Sequence, residues 1–329
     1  MSTSFKNILD RFQKSTLLMM LGATIVFATF FIRNPSFVWI DLWFVFEIFI
    51  LTLFTKTVSF RYGLQLFFQG ILIAGLGSIL FWNLVGLLGF HDTIFGETLI
   101  AVGEEILKFL PVFIPVFFVY RDKKNPFNFS DVLFLCVMCS AGFSLFEKSF
   151  WQGVSFPFTY GPHIGDLYFF SDALGIYVDG EKFGYVGHAA ATGLIGMGAA
   201  IGLFLKNKQR TWWWIVPVFA FVWIVGEHAL SNFYYVTGTT ALLSFGGGML
   251  TPWIFLVFLV FILRTDINNL RQFFVTHPQE QEVVKKSGKV FLDSLKAKKN
   301  WVDAGSAFSR NLRAANSLAW EESTKIQSK

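Results

Sequence analysis

Long apolar runs separated by short polar breaks dominate the first 263 residues. A helix that crosses a bilayer needs about 20 mostly apolar residues. Eight runs meet or approach that length: 16–32, 37–54, 63–89, 93–120, 130–150, 183–205, 212–236 and 246–263. They predict an all-α, polytopic transmembrane helical bundle of about eight spans. From Arg264 the pattern changes to a polar, Lys-rich stretch without long apolar runs. Residues 1–263 therefore read as a transmembrane domain. Residues 264–329 read as a short basic, cytosolic tail of one or two amphipathic helices. A solvated tail is the simpler expectation, and contact with an anionic inner leaflet is the alternative.

Composition agrees with the lipid bilayer as a partner. Only 15% of the residues are charged, against about a quarter in a typical soluble domain. The 43 Phe and 11 Trp suit lipid tails and the membrane interface. The net charge of +5 gives no reason to expect nucleic acid, because Lys and Arg fall where topology places them. Lys6, Arg11 and Lys14 precede the first run, Lys56 and Arg61 follow the second, and Arg121, Lys123 and Lys124 follow the fourth. Lys206, Lys208 and Arg210 follow the sixth, while the intervening breaks hold little beyond Arg33 and Lys182. This alternation predicts cytoplasmic N- and C-termini. The first run reads as an uncleaved signal anchor. Residues 151–182 form a long outer connection containing Asp166, Asp172, Asp179 and Glu181. It is expected either to cap an outward-facing site or to decorate the interface. The two cysteines, Cys136 and Cys139, sit in one apolar run and read as small buried hydrophobes rather than a redox pair.

Ionisable residues inside the runs are the informative exception. A charge in the hydrocarbon core costs about 2.5–3.5 kcal/mol on the lenient insertion scale, so such residues face partners or water. The fourth run carries Glu104, Glu105 and Lys108, the fifth ends at Glu147, the sixth contains His188, and the seventh holds Glu227, His228 and Asn232. At about 1.5 Å per residue, Glu104 lies roughly 16 Å below the outer boundary, Glu147 roughly 5 Å, His188 roughly 8 Å and His228 roughly 12 Å. Four helices thus place polar groups at similar depth in the outer half, which predicts one shared site in the core 93–236. Lys108 lies within reach of both Glu104 and Glu105. Pairing with one would leave the other carboxylate free to act as a base. Asn232 shares a face with His228 and can orient its ring or assist it as a donor. Glu227 points about 100° away and is expected to satisfy another span. Asp41 and Glu47, buried acids of the second run, are remote in sequence from this group. The small residues Gly193, Gly196, Gly198 and Gly202 would let the sixth run approach its neighbours closely.

The EExxK set (Glu104, Glu105, Lys108), the FxxxE set (Phe143, Glu147), His188 at the opening of a later span, and the HxxxN set (His228, Asn232) resemble the motifs of the PrsW-type intramembrane proteases. These are relatives of the CAAX prenyl endopeptidases in the CPBP/ABI group. The CAAX enzymes would show Arg in the role of Lys108 and His in place of Glu147, so the PrsW branch fits better. The resemblance covers residues 104–232. It implies a peptidase in the bacterial plasma membrane acting on a membrane-anchored protein substrate, of which an anti-sigma factor would be an example. It further implies catalytic roles for Glu104, Glu105, His188 and His228, supported by Lys108, Glu147 and Asn232. The leading reading uses Glu-activated water and no cofactor. An alternative places a divalent metal such as zinc on His188, His228 and Glu104. A proton- or ion-coupled transporter and a catalytically inactive membrane scaffold are the other readings.

Overall fold

The computed structural model of the chain describes residues 21–22, 36–121, 127–151, 187–237, 250–298 and 300–326. Among these, all regular structure is helical: α1 (Ser36–Thr52), α2 (Phe60–Leu87), α3 (Ile94–Arg121), α4 (Phe129–Trp151), α5 (His188–Asn207), α6 (Ile215–Thr237), α7 (Leu250–Thr276), α8 (Pro278–Lys296) and α9 (Trp301–Ile326). Five of them, α2 and α4–α7, contain stretches long and apolar enough to cross a membrane. The first seven helices begin within about five residues of the runs expected from sequence. The run at 16–32 lies outside the described residues apart from Leu21 and Gly22, and so does the connection at 151–182 apart from Trp151.

Helix α4 is the axis of the bundle, buried without interruption from Asn128 to Phe146. It packs against α1, α2, α3, α5 and α7. Helix α2 reaches it through one π-helical turn, Gly70–Gly75, and two glycines permit the approach. A Cβ on Gly70 would strike the Cys139 carbonyl of α4, and a Cβ on Gly142 would strike the Phe67 carbonyl of α2. Cys136 and Cys139 are free, buried thiols, and Cys136 packs its sulfur where a Cβ of Gly196 on α5 would be. Away from α4 the helices present large apolar side chains outward, including Leu80, Leu87, Val222, Val257 and Val260. A water-facing surface would not sustain such a belt.

The helix of the last expected span, 246–263, continues to Thr276. Of its polar residues there, Asp266 packs inward, while Arg264, Asn268, Arg271 and Gln272 are exposed. Asp266 is buried and accepts hydrogen bonds from the Ser130 N–H (2.8 Å) and hydroxyl (2.6 Å), satisfying the first turn of α4. Asp131 does the same for the loop between α1 and α2, accepting from the Thr57 and Val58 amides at 2.6 and 2.8 Å. The tail is also no free appendage. Helices α8 and α9 form a hairpin with Phe291 stacked on Phe308, and α9 returns to the bundle. There the Asn316 amide donates to the Phe54 carbonyl at 2.8 Å, and Trp320 is buried against Phe129 and Phe204.

Candidate functional site

Glu104, Glu105 and Lys108 occupy successive turns of α3, and α4, α5 and α6 close over them. Glu105 and Lys108, both fully buried, form the ion pair, with Nζ 2.6 Å from Oε1. Of the two pairings the spacing allowed, the i,i+3 pair forms, and this leaves Glu104 apart from the lysine's hydrogen bonds. The same Lys108 ammonium lies 2.6 Å from His188 Nδ1 and 4.7 Å above the Phe143 ring. Because an ammonium only donates, Nδ1 must accept, and the His188 proton is placed on Nε2. That nitrogen faces Glu147 Oε2 at 2.6 Å. His188 can hold this position because Gly187 before it adopts φ +79°, a left-handed conformation that glycine takes without steric cost.

His228 stands on the other side of Glu105. Its Nδ1 lies 3.0 Å from Glu105 Oε1, so its N–H donates to the carboxylate and the Nε2 lone pair is left pointing away. Nε2 lies 3.7 Å from Glu104 Oε2, too far for a hydrogen bond, and that buried oxygen has no hydrogen-bond partner among the described residues. The two imidazoles meet edge to face at 5.2 Å. Glu104, Glu105, Lys108, Glu147, His188 and His228, which sequence singled out on four helices, therefore converge on one buried centre.

Asn232 is hydrogen-bonded to Glu97 in the first turn of α3. Glu227 faces away from the centre, as expected, and accepts from the Thr251 hydroxyl of α7 at 2.6 Å. Thr251 in turn accepts from the Trp223 indole at 2.7 Å. Glu47 is buried on α1, and the side chain of Asp41 lies outside the described ones.

Three participants escaped the sequence reading. The Ser140 hydroxyl donates to the His188 carbonyl at 2.6 Å, and Thr192 lies 2.9 Å from Ser140 and 3.4 Å from Glu105 Oε2. Glu97 is the third. Each repeats the helical period of a motif residue: Thr192 follows His188 by four, Ser140 precedes Glu147 by seven, and Glu97 precedes Glu104 by seven. That periodicity was the available signal.

One oxygen of Glu104 and one nitrogen each of His188 and His228 lie within 4.8 Å of one another, a spacing that could hold a metal ion. The donor chemistry fits only in part. His228 Nε2 offers a lone pair, and its Nδ1–H···Glu105 bond is the outer-shell orientation that metal-bound histidines use. His188 does not offer one, because the lysine at Nδ1 commits its Nε2 to a proton. The arrangement suits proton transfer and hydrogen-bond donation better than ligation. Comparison with protein-family models, with characterised proteins and with solved structures returns no match to this chain.

Proposed function

We propose that this protein is an intramembrane endopeptidase that hydrolyses a peptide bond in a membrane-anchored protein with a Glu-activated water. The observation that carries this reading is the division of labour between the paired carboxylates. Glu105 is held by Lys108 and His228, while Glu104 keeps a buried oxygen without a hydrogen-bond partner among the described residues, 3.7 Å from His228 Nε2. That gap can be bridged by one water, which a general base must touch.

In this reading Glu104 takes a proton from the water, aligned by His228 Nε2, as its oxygen attacks the scissile carbonyl carbon. The His188 Nε2–H, which faces Glu147 before substrate enters, and the Asn232 amide donate to the oxygen that becomes negative. When the C–N bond breaks, Glu104 returns its proton to the departing amine nitrogen, leaving a carboxylic acid and an amine. Lys108 and Glu105 keep both imidazoles in the required tautomers. The resemblance to PrsW-type proteases supports the same assignment. With 16–32 as a further span, the proposed protein crosses a bacterial plasma membrane eight times with both termini cytoplasmic.

The test is co-expression with tagged single-span membrane proteins. Wild type is expected to release a fragment, and Glu104→Ala, His188→Ala and His228→Ala are each expected to lower the rate by about 10²–10⁴-fold. Undiminished cleavage by Glu104→Ala sinks the assignment, and loss of an ion flux in the same variants, with no substrate cut by wild type, favours transport. The proximity of Glu104, His188 and His228 also favours a specific second version with zinc. Stoichiometric metal in active purified protein, with activity lost on chelation, would select it.

A further inference from the structure

Helix α9 lies across one end of the bundle. Asn316 donates to the Phe54 carbonyl just past α1, and one turn later Trp320 packs on Phe129 at the start of α4 and on Phe204 near the end of α5. A helix that meets three helix ends in succession runs along that end of the bundle and not outward from it. Its docked face is Leu312, Ala315, Asn316, Ala319 and Trp320, all buried. Residues 301–311, about 16 Å of the same helix, include no buried residue and overhang the bundle. Helix α8, antiparallel beside them, has no buried residue either. On the overhang, Trp301 stands about three turns before Leu312, and Val302 about four turns before Asn316. Both therefore continue the docked face, and both are more than half exposed. The face that looks into the bundle end at Leu312 looks, at Trp301, toward the bilayer around it.

Helix α8 presents charge on the same side. Its Gly288 and Phe291 meet Phe308 and Gly305 of α9, which fixes how α8 is turned about its axis. For two right-handed helices packed antiparallel, this turn brings Lys285, Leu292 and Lys296, with Lys289 at the edge, to the side of Trp301. All four are exposed, while Glu282 and Asp293 lie further round, on the side away from α9. Lysines around a leucine, next to a tryptophan at a membrane interface, complement anionic lipid headgroups. We propose that the α8–α9 hairpin rests on the bilayer surface beside the bundle, with Trp301 and Val302 in the headgroup layer and Lys285, Lys289 and Lys296 against anionic lipid. This role requires a membrane-spanning bundle and is independent of the peptidase reading, so Glu104→Ala should leave it intact.

The experiment places the full-length protein in lipid nanodiscs, one copy per disc, with a polarity-sensitive fluorophore on a single added thiol. Cys136 and Cys139 are buried and do not compete for the label. Val302→Cys carries the probe, and Asp303→Cys, on the opposite side of α9, is the water-facing reference. In discs with about a third anionic lipid, the Val302 probe should emit further to the blue. A nitroxide near the headgroup end of the lipid chain should quench it at least about twofold more strongly than the reference, as burial by about 5–10 Å requires. Replacing Lys285, Lys289 and Lys296 together by Glu should remove at least about half of that difference, and so should about 1 M salt, which shortens the screening length to about 3 Å. A Val302 probe as wet and as weakly quenched as the reference in anionic discs would overturn the proposal. Equal quenching in neutral and anionic discs would also overturn it, because the lysines would then do nothing. A blue shift seen only with two copies per disc would overturn it as well, assigning the face to a second copy of the chain.

Discussion

Lys108 illustrates how one buried side chain determines what its neighbours can do. Its ammonium pairs with Glu105 and at the same time faces His188 Nδ1, so the ion pair and the histidine tautomer form one decision. A second buried lysine, at the opposite end of α4, has a different consequence. Lys56 lies 3.4 Å from the centre of the Phe49 ring and 4.1 Å from that of Phe134, and its nitrogen has no hydrogen-bond partner among the described residues. Burial lowers its pKa from 10.5 to about 7, Asp131 pulls it back up, and Arg313 adds to the lowering. Below about 7 both the folded and the unfolded chain hold the proton, and the burial cost is present in full. Between about 7 and 10.5 the unfolded chain binds more protons, so stability must rise with pH. The midpoint of thermal unfolding in detergent should therefore increase from about pH 7 to pH 9 in wild type and change much less in Lys56→Met. Parallel pH profiles for the two proteins would show that Lys56 carries no such linkage.

At the scale of elements, the fit between α2 and α4 decides where the site residues of α4 stand. Gly70 and Gly142 bring the two backbones into contact, and Ser140 and Glu147 lie on either side of Gly142. With backbone on the other side, neither helix has a flexible side chain to move aside. Gly142→Ala should destabilise the protein by at least about 1–3 kcal/mol, the usual cost of overpacking a rigid core. Gly226→Ala is the matched control, because a Cβ there meets nothing within 4 Å and removes a helix-interior glycine. It should be neutral or stabilising by up to about 1 kcal/mol. Thermal unfolding of the two variants side by side makes the comparison, and equal midpoints would mean that the α2–α4 contact yields more readily than its geometry implies.

For the molecule as a whole, the sequence revealed the helices of the bundle and where they begin, because an apolar run is as long as the helix it forms. It hid the continuation of α7 and the docking of α9, because Asp266 and Trp320 look the same in sequence whether they meet Ser130 and Phe129 or solvent. The motif residues of the site were legible from burial cost alone. Which glutamate Lys108 would choose was not, since i+3 and i+4 both reach it, and neither were the hydroxyls of Ser140 and Thr192, which are common in helices without any role. The chain's antiparallel course yields one more consequence. Helices α4 and α6 run toward the end that holds Glu147 and Asn232, while α5 and α7 run back to the end where Trp320 and Asn316 dock. The segment joining α4 to α5 and the hairpin of α8 and α9 should then lie on opposite sides of the membrane. Both native thiols are buried, so a membrane-impermeant maleimide should leave the parent protein unlabelled in intact cells. Thr159→Cys should react from outside, whereas Ala297→Cys, exposed in the turn after α8, should react only after the membrane is opened. Labelling of both cysteines from the same side would break the vectorial arrangement and remove the basis for a site that opens to the outer half of the bilayer.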